Sequence, residues 1–244
     1  MNQTMPSSTA RIDHTAPIGL AIHGAKGRMG QRIAALANDM PSVRVTALLD
    51  RDGDRQTSIS PKLADARAII DFSSDEGTRA AAELAERLGI ALLVGTTALS
   101  PATLERLAAL ERSVPVMVCA NTSLGVAVAR HLAREAARLL GADYSIDIIE
   151  THHTKKLDAP SGTALALAAS VAEGGRTVAA DRIHAIRAGD VIGDHIVQFA
   201  GVGEILRIQH SATTRDLFAR GALRAAAWLA GKPAGRYRIE DTFA

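Results

Sequence analysis

The 244-residue sequence predicts an α/β protein: a Rossmann-like, doubly wound parallel sheet joined to a smaller α+β domain with a mixed or antiparallel sheet. Three observations predict it. From Ile18 to about Ala120, short β-rich apolar runs alternate with Ala/Leu/Arg/Glu stretches of helical period, the rhythm of a parallel sheet with crossover helices. The runs are almost continuously apolar, as strands covered on both faces must be. After Ala120 the rhythm changes, and strand-like stretches follow one another without helices between them.

The first strands are read at Ile18–His23, Val43–Leu49, Ala68–Phe72, Ile90–Val94 and Val114–Val118, with helices at Met29–Asn38, Gly77–Leu88 and Pro101–Arg112. A long helix over Leu124–Leu140 leads into a strand at Tyr144–Glu150, a loop, and a helix from about Ser161 to Glu173. Three further strands are read at Arg182–Arg187, His195–Phe199 and Ile205–His210, the last two joined by the turn-rich Ala-Gly-Val-Gly-Glu. The helical stretch Thr214–Leu229 resumes the first style, so the tail is expected to return to the first domain. The expected division is a disordered extension at 1–16, a dinucleotide-binding domain at 17–122 and 214–244, and a substrate-binding and oligomerisation domain at 123–213.

Composition narrows the function. A formal charge of +2, with no concentrated run of Lys and Arg, gives little drive toward nucleic acid. Aromatic residues are 3% of the chain, so the core must be built from Ala, Leu, Ile and Val. The single cysteine, Cys119, excludes an internal disulfide framework and fits a reducing compartment. Its apolar surroundings favour a buried structural thiol over a nucleophile. No apolar stretch reaches the ~20 residues that a membrane span needs, and residues 1–16 lack the apolar core of a signal peptide. A soluble, cytoplasmic protein is the expectation.

The strand Ile18–His23 runs into Gly24-Ala25-Lys26-Gly27-Arg28-Met29-Gly30 and a helix start. Pyrophosphate needs a close backbone approach and the free N–H groups of a helix N-terminus. The G-x-x-G-x-x-G spacing departs from the usual G-x-G-x-x-G, but Asp50 ends the second strand 20 residues beyond Gly30, where a carboxylate would meet the ribose hydroxyls. Arg51 beside it suits a 2′-phosphate, so NADH and NADPH both stay open, with Lys26 and Arg28 as further phosphate contacts. Two more loops end strands on the same edge: Val94-Gly95-Thr96-Thr97 and Cys119-Ala120-Asn121-Thr122-Ser123. Their small hydroxyl and amide side chains suit a nicotinamide ring and ribose, although either loop alone reads as an ordinary helix cap.

The densest chemistry lies in Glu150-Thr-His152-His153-Thr-Lys155-Lys156-Leu-Asp158-Ala-Pro160-Ser161-Gly162-Thr163. Adjacent histidines titrate near neutral pH and can exchange protons with a substrate. Lys156 can bind an anion or deliver a proton. Asp158 or Ser161 is expected to cap the next helix with Pro160 in its first turn, leaving Gly162 and Thr163 to offer N–H donors and a hydroxyl to a carboxylate. Metal is not expected, because adjacent histidines lack one-face helical spacing and no Cys or third His is near. A serine-hydrolase elbow is absent too.

These residues resemble the 4-hydroxy-tetrahydrodipicolinate reductase (dihydrodipicolinate reductase) family of lysine biosynthesis. The resemblance rests on Gly24–Gly30, Asp71-Phe-Ser73, Val94–Thr97, Ala120–Val126, the Glu150–Thr163 string, Phe199–Glu204, His210, Thr214-Arg215 and the Phe218–Leu229 tail. It implies reduction of a cyclic dicarboxylate by NADH or NADPH, giving tetrahydrodipicolinate and water in the diaminopimelate route. By motif position it implies His152 as proton donor and acceptor and Lys156 as proton donor. His153, Gly162 and Thr163 would hold a substrate carboxylate. Gly24, Ala25, Lys26, Gly27, Arg28, Met29, Asp50, Arg51, Gly95, Thr96 and Thr97 would bind cofactor, with Cys119, Ala120, Asn121 and Thr122 closing near the nicotinamide. A homotetramer joined through the second sheet is implied as well.

The chain departs from the family's usual pattern in two places: the Asp50–Asp71 segment is short, and Thr122 stands where some members carry an aromatic residue. A non-catalytic nicotinamide sensor on the same fold would not need His152 and Lys156. A different two-domain dehydrogenase, acting on an amino-acid semialdehyde, would call for a catalytic Cys or a Lys/Asp pair that this sequence sets poorly.

Overall fold

The computed structural model describes residues 16–50 and 61–243; Arg51 and, apart from Ala16, the N-terminal extension lie outside them. Strands β1 (Ile18–His23), β2 (Val43–Leu49), β3 (Ala68–Asp71), β4 (Ala91–Val94) and β5 (Pro115–Val118) alternate with helices α1 (Arg28–Ala37), α2 (Pro61–Ala64), α3 (Asp75–Leu88) and α4 (Pro101–Leu110). All pair in parallel. The alternation of side chains along each strand divides their apolar residues between two cores. Leu20, Ile22, Ile70, Leu93 and Met117 point one way, and Ala21, Ile69, Leu92, Val94 and Val116 the other, where they meet α3 and α4.

Beyond β5 the chain leaves this sheet. Helix α5 (Leu124–Leu140), strand β6 (Ser145–His152), helix α6 (Gly162–Glu173) and strands β7 (Ile183–Arg187), β8 (Asp194–Gly201) and β9 (Glu204–Ser211) follow. Their sheet has the order β7-β6-β8-β9, parallel at β6–β7 and antiparallel at the other two pairings, and so mixed. Its inner face packs Ile146, Ile148, Val197 and Phe199 against alanines of α5 and against Leu167 and Val171 of α6.

Helix α7 (Asp216–Leu229) and strand β10 (Gly235–Tyr237) then return to the first sheet. There α7 joins α1 over the first core, and β10 pairs in parallel with β5. The complete order, β2-β1-β3-β4-β5-β10, reverses direction between β1 and β3. A crevice therefore opens at the carboxyl ends of those two strands, the place where open α/β sheets hold ligands. Only α2 separates β2 from β3 among the described residues, in keeping with the short Asp50–Asp71 segment. No helix among the described residues is long and apolar enough to cross a membrane.

The return of α7 is tight. A Cβ on Gly221 would lie 1.8 Å from the Thr122 carbonyl oxygen, and the Thr122 hydroxyl donates to the Phe218 carbonyl at 2.7 Å. Gly221→Ala is therefore expected to destabilise the protein by about 3 kcal/mol through overpacking against rigid backbone. A urea midpoint unchanged from the parent's would contradict this packing.

Candidate functional site

The nucleotide end follows from the glycine spacing. Gly24 has φ +76°, and a side chain there would meet the Phe72 carbonyl oxygen at 2.4 Å. A side chain at Gly30 would meet the Gly24 carbonyl oxygen at 2.3 Å. Only glycine permits both approaches. The loop is further held by Ala25 N–H to Leu49 O and Lys26 N–H to the Asp50 carboxylate, both at 3.0 Å. Helices α3, α4, α5 and α6 each start on a serine whose hydroxyl caps the first turn. Helix α1 starts on Gly27 with no side-chain cap, which leaves its first-turn N–H groups open at a positive helix end. That donor set fits a pyrophosphate.

Beneath this cradle, Asp71 is fully buried and ties three strand ends together. One oxygen accepts from Ser73 Oγ at 2.5 Å and pairs with His23 Nδ1 at 2.8 Å; the other accepts from the Thr78 and Thr96 hydroxyls at 2.6 and 2.8 Å. The Thr96 side chain is thus engaged inward, whereas Thr97 is exposed on the same loop. In the neighbouring loop, Thr122 is buried and Ala120 exposed. Burial pushes the Cys119 thiol up to about 11, and its S–H donates to the Asn121 carbonyl at 2.9 Å. A thiol so placed is a structural group.

The chemical end follows from strand period. Ile146, Ile148, Glu150 and His152 alternate onto the inner face of β6, so the face that begins as core ends in two titratable side chains. Strand β8 places His195 opposite Glu150, β9 places His210 opposite His195, and parallel β7 sets Arg187 beside His152. One end of the otherwise apolar inner face therefore carries a row of Arg187, His152, Glu150, His195 and His210.

Glu150 is the centre of that row and is fully buried. It pairs with His152 Nδ1 at 2.5 Å, accepts from Ser161 N–H at 3.1 Å, and accepts twice from Arg187 at 3.0 Å. Burial alone would raise its carboxyl. The bonds from Arg187, His152 and Ser161 outweigh burial and hold it below the ordinary glutamate range. A carboxylate on Nδ1 fixes the imidazole proton there, so His152 Nε2 is the nitrogen free to exchange a proton. His195 is set differently. Ser161 Oγ accepts from Ala164 N–H and lies within hydrogen-bond distance of His195 Nε2, at 3.1 Å. Burial, reinforced by the nearby His152, depresses His195 to about 4. It is a neutral ring packed edge-on against His152, with centroids 5.1 Å apart.

Helix α6 starts at Gly162 with Ser161 as its cap. This corrects one expectation: Pro160 stands before the cap rather than in the first turn, and Asp158 does not cap the helix but pairs with Lys156 Nζ at 2.7 and 2.8 Å. That ammonium holds the Asp158 carboxyl below the usual aspartate range. Gly162 has open space where a side chain would stand. The two ends of the site meet here. Asn121 Nδ2 donates to Thr163 Oγ1 at 3.0 Å, and Arg215, at the start of α7, lies 3.5 Å from His153 Nε2. The loop expected beside a nicotinamide thus touches the helix start expected to hold a carboxylate.

The sequence assigned no role to Arg187, His195, Arg215 or Asp71. Asp71 had a signal in Asp-Phe-Ser and Arg215 one in Thr214-Arg215. The other two are single polar residues whose partners lie on distant segments. Among the described residues no cluster of metal-ligating side chains exists.

Residues 18–122 match the family "Dihydrodipicolinate reductase, N-terminus", and residues 125–243 match "Dihydrodipicolinate reductase, C-terminus". The chain belongs to the dihydrodipicolinate reductase family. A 4-hydroxy-tetrahydrodipicolinate reductase of Stenotrophomonas maltophilia (strain R551-3) is 42% identical over 236 residues, covering 92% of this chain and 97% of the relative. One from Caulobacter vibrioides is 40% identical, covering 92% and 96%. Among solved structures, a dipicolinate-bound dihydrodipicolinate reductase from Paenisporosarcina sp. TG-14 shares the fold, with a TM-score of 0.74 at 21% identity over 92% of this chain and 99% of that one. Family membership thus agrees with the resemblance drawn from the Glu150–Thr163 string.

The depressed His195 gives a signed prediction. Between about pH 6.5 and 4 the unfolded chain binds a proton at this position that the folded protein refuses, so stability falls as pH drops through that window. The shift from 6.5 to about 4 corresponds to roughly 3 kcal/mol. Replacing His195 with Gln is expected to shrink the loss of stability between neutral pH and pH 4 by about that amount, read from denaturant melts at each pH. An undiminished loss would mean that His195 titrates normally.

Proposed function

We propose that this chain reduces 4-hydroxy-tetrahydrodipicolinate with NADH or NADPH, giving tetrahydrodipicolinate, oxidised cofactor and water, in the diaminopimelate route of lysine biosynthesis. The observation that carries the reading is His152 Nε2, left free by the Glu150 bond to Nδ1, in a family member with an anion-ready Gly24–Gly30 loop. Bound nicotinamide supplies the hydride. The chain's own residues supply charge, position and protons. Residues 17–122 and 214–244 form the cofactor domain, with contacts from Gly24, Ala25, Lys26, Gly27, Arg28, Met29, Asp50, Arg51, Gly95, Thr96 and Thr97 and from the Cys119–Thr122 loop. Residues 123–213 form the substrate and oligomerisation domain.

His152 gives the proton that hydride addition requires and recovers it from solvent, with its Nδ1 proton fixed on Glu150. Lys156 is the second proton donor; a substrate carboxylate competes with Asp158 for its ammonium. His153, Gly162 and Thr163 hold that carboxylate, the last two through N–H groups at the start of α6. The substrate is a small dicarboxylate. The outer face of the second sheet, with Ile186 and Ile205 exposed, supports a homotetramer joined there, and one unpaired cysteine supports a cytoplasmic protein.

The decisive assay generates the substrate in place from pyruvate and aspartate semialdehyde with a condensing enzyme and follows NADH and NADPH oxidation in parallel. Folded protein that oxidises neither cofactor in a substrate-dependent way would overturn the reading. In the same assay, His152→Gln is expected to lower kcat by about 10²–10⁴-fold, the usual contribution of a general acid, with KM little changed. Thr163→Ala is expected to act mainly on KM, raising it roughly tenfold for the loss of one hydrogen bond to a charged group.

A further inference from the structure

Arg187 lies on β7, well beyond the Glu150–Thr163 stretch in sequence, and every one of its N–H donors is committed. Nη1 donates to Glu150 Oε2 at 3.0 Å and to the Ile186 carbonyl at 2.7 Å. Nη2 donates to Glu150 Oε1 at 3.0 Å and to the Asp158 carbonyl at 2.6 Å. Nε donates to the Lys156 carbonyl at 3.2 Å. A guanidinium has five N–H groups, so none remains for a ligand.

The partners are informative. The forked pair neutralises the buried carboxylate that orients His152. Of the other three bonds, one falls on the neighbouring Ile186 carbonyl and two on backbone carbonyls at both ends of the Lys156–Asp158 segment. The same carboxylate also accepts the N–H of Ser161, the cap of α6. Backbone bonds from Ala188 to His152 and from Thr154 to Gly189 run alongside, so the end of β7 and the start of the loop are tied together.

We propose that Arg187 is the positioning residue of this site, setting His152 through Glu150 and Lys156 through its backbone carbonyl, without itself touching substrate. The proposal rests on the roles given above to His152 and Lys156. It also makes a chemical demand that charge alone does not meet. A lysine at 187 would keep the positive charge beside Glu150 but has three donors and no planar fork. It cannot hold two carboxylate oxygens and two loop carbonyls at once.

The test is Arg187→Lys, measured in three ways: NADH affinity by fluorescence, kcat in the coupled assay, and the ring ¹⁵N shifts of His152, assigned by their loss in His152→Gln. The expected result is unchanged NADH affinity, a kcat lowered about 10–100-fold as for loss of an orienting second partner, and a His152 ring that shifts from one tautomer to a mixture. Turnover within twofold of the parent with an unmoved His152 signal would overturn the proposal. Should the lysine variant fail to fold, the double variant Glu150→Gln/Arg187→Met removes both buried charges together. It is expected to bind NADH normally and to lose kcat at least tenfold, and parental turnover in that variant would equally overturn the proposal. The ¹⁵N measurement needs no turnover. An inactive parent would therefore defeat the proposed reaction while the placement of His152 by Arg187 is still decided.

Discussion

An ionised carboxylate with no exposure to water needs opposite charge and N–H donors close by, because burial without them costs several kcal/mol. Glu150 is in that position, and much of the second domain is arranged around the requirement. Its partners come from three separate segments: Arg187 on β7, His152 two residues along the same strand, and Ser161 at the start of α6. Each of those elements must be present and in register before the charge is satisfied. The carboxylate therefore acts as a register pin for the mixed sheet and its covering helix. It also engages Nδ1 of His152 and leaves Nε2 as the nitrogen open to a ligand.

The first domain repeats the pattern around Asp71. Here the partners are His23, Ser73, Thr78 and Thr96, drawn from the ends of β1 and β3, from α3 and from the loop after β4. That carboxylate sits directly under the crevice at the reversal of strand order. The glycine loop of the first domain and the start of α6 in the second are thus each built over a buried acid whose hydrogen bonds collect the surrounding loops. Between them, Asn121 to Thr163 and Arg215 to His153 are polar contacts that join the two sides.

Local chemistry carried the sequence reading a long way. The glycine spacing, the placement of Asp50, the strand and helix alternation and the Glu150–Thr163 string each express a constraint that neighbouring residues impose on one another. What stayed hidden was set across space. Strand β6 runs through His152, two residues beyond the apolar pattern that marked it, because Glu150 and His152 keep the inward alternation while being polar. Arg187 reads as an ordinary strand end until β7 is laid parallel to β6. His195 reads as a polar residue on a half-buried strand until it is placed opposite Glu150. Strand β10 has only Gly-Arg-Tyr and no period at all. Its pairing with β5 is imposed by the path of α7, and no short-range pattern encodes it.

The tight seat of Gly221 on Thr122 has a consequence for how the chain is assembled. Thr122 is where the backbone leaves the first sheet and α7 is where it comes back, so the second domain is an insertion whose entry and exit lie side by side. Closing a flexible loop of roughly ninety residues costs on the order of 4 kcal/mol in chain entropy. An inserted domain that folds with its two ends already adjacent spares the outer sheet most of that cost. During synthesis, β1 to β5 emerge long before the helix and edge strand that complete their sheet, and they stay incomplete until the inserted segment has closed the gap. Order of assembly is thereby written into the chain's topology, with a glycine at the join.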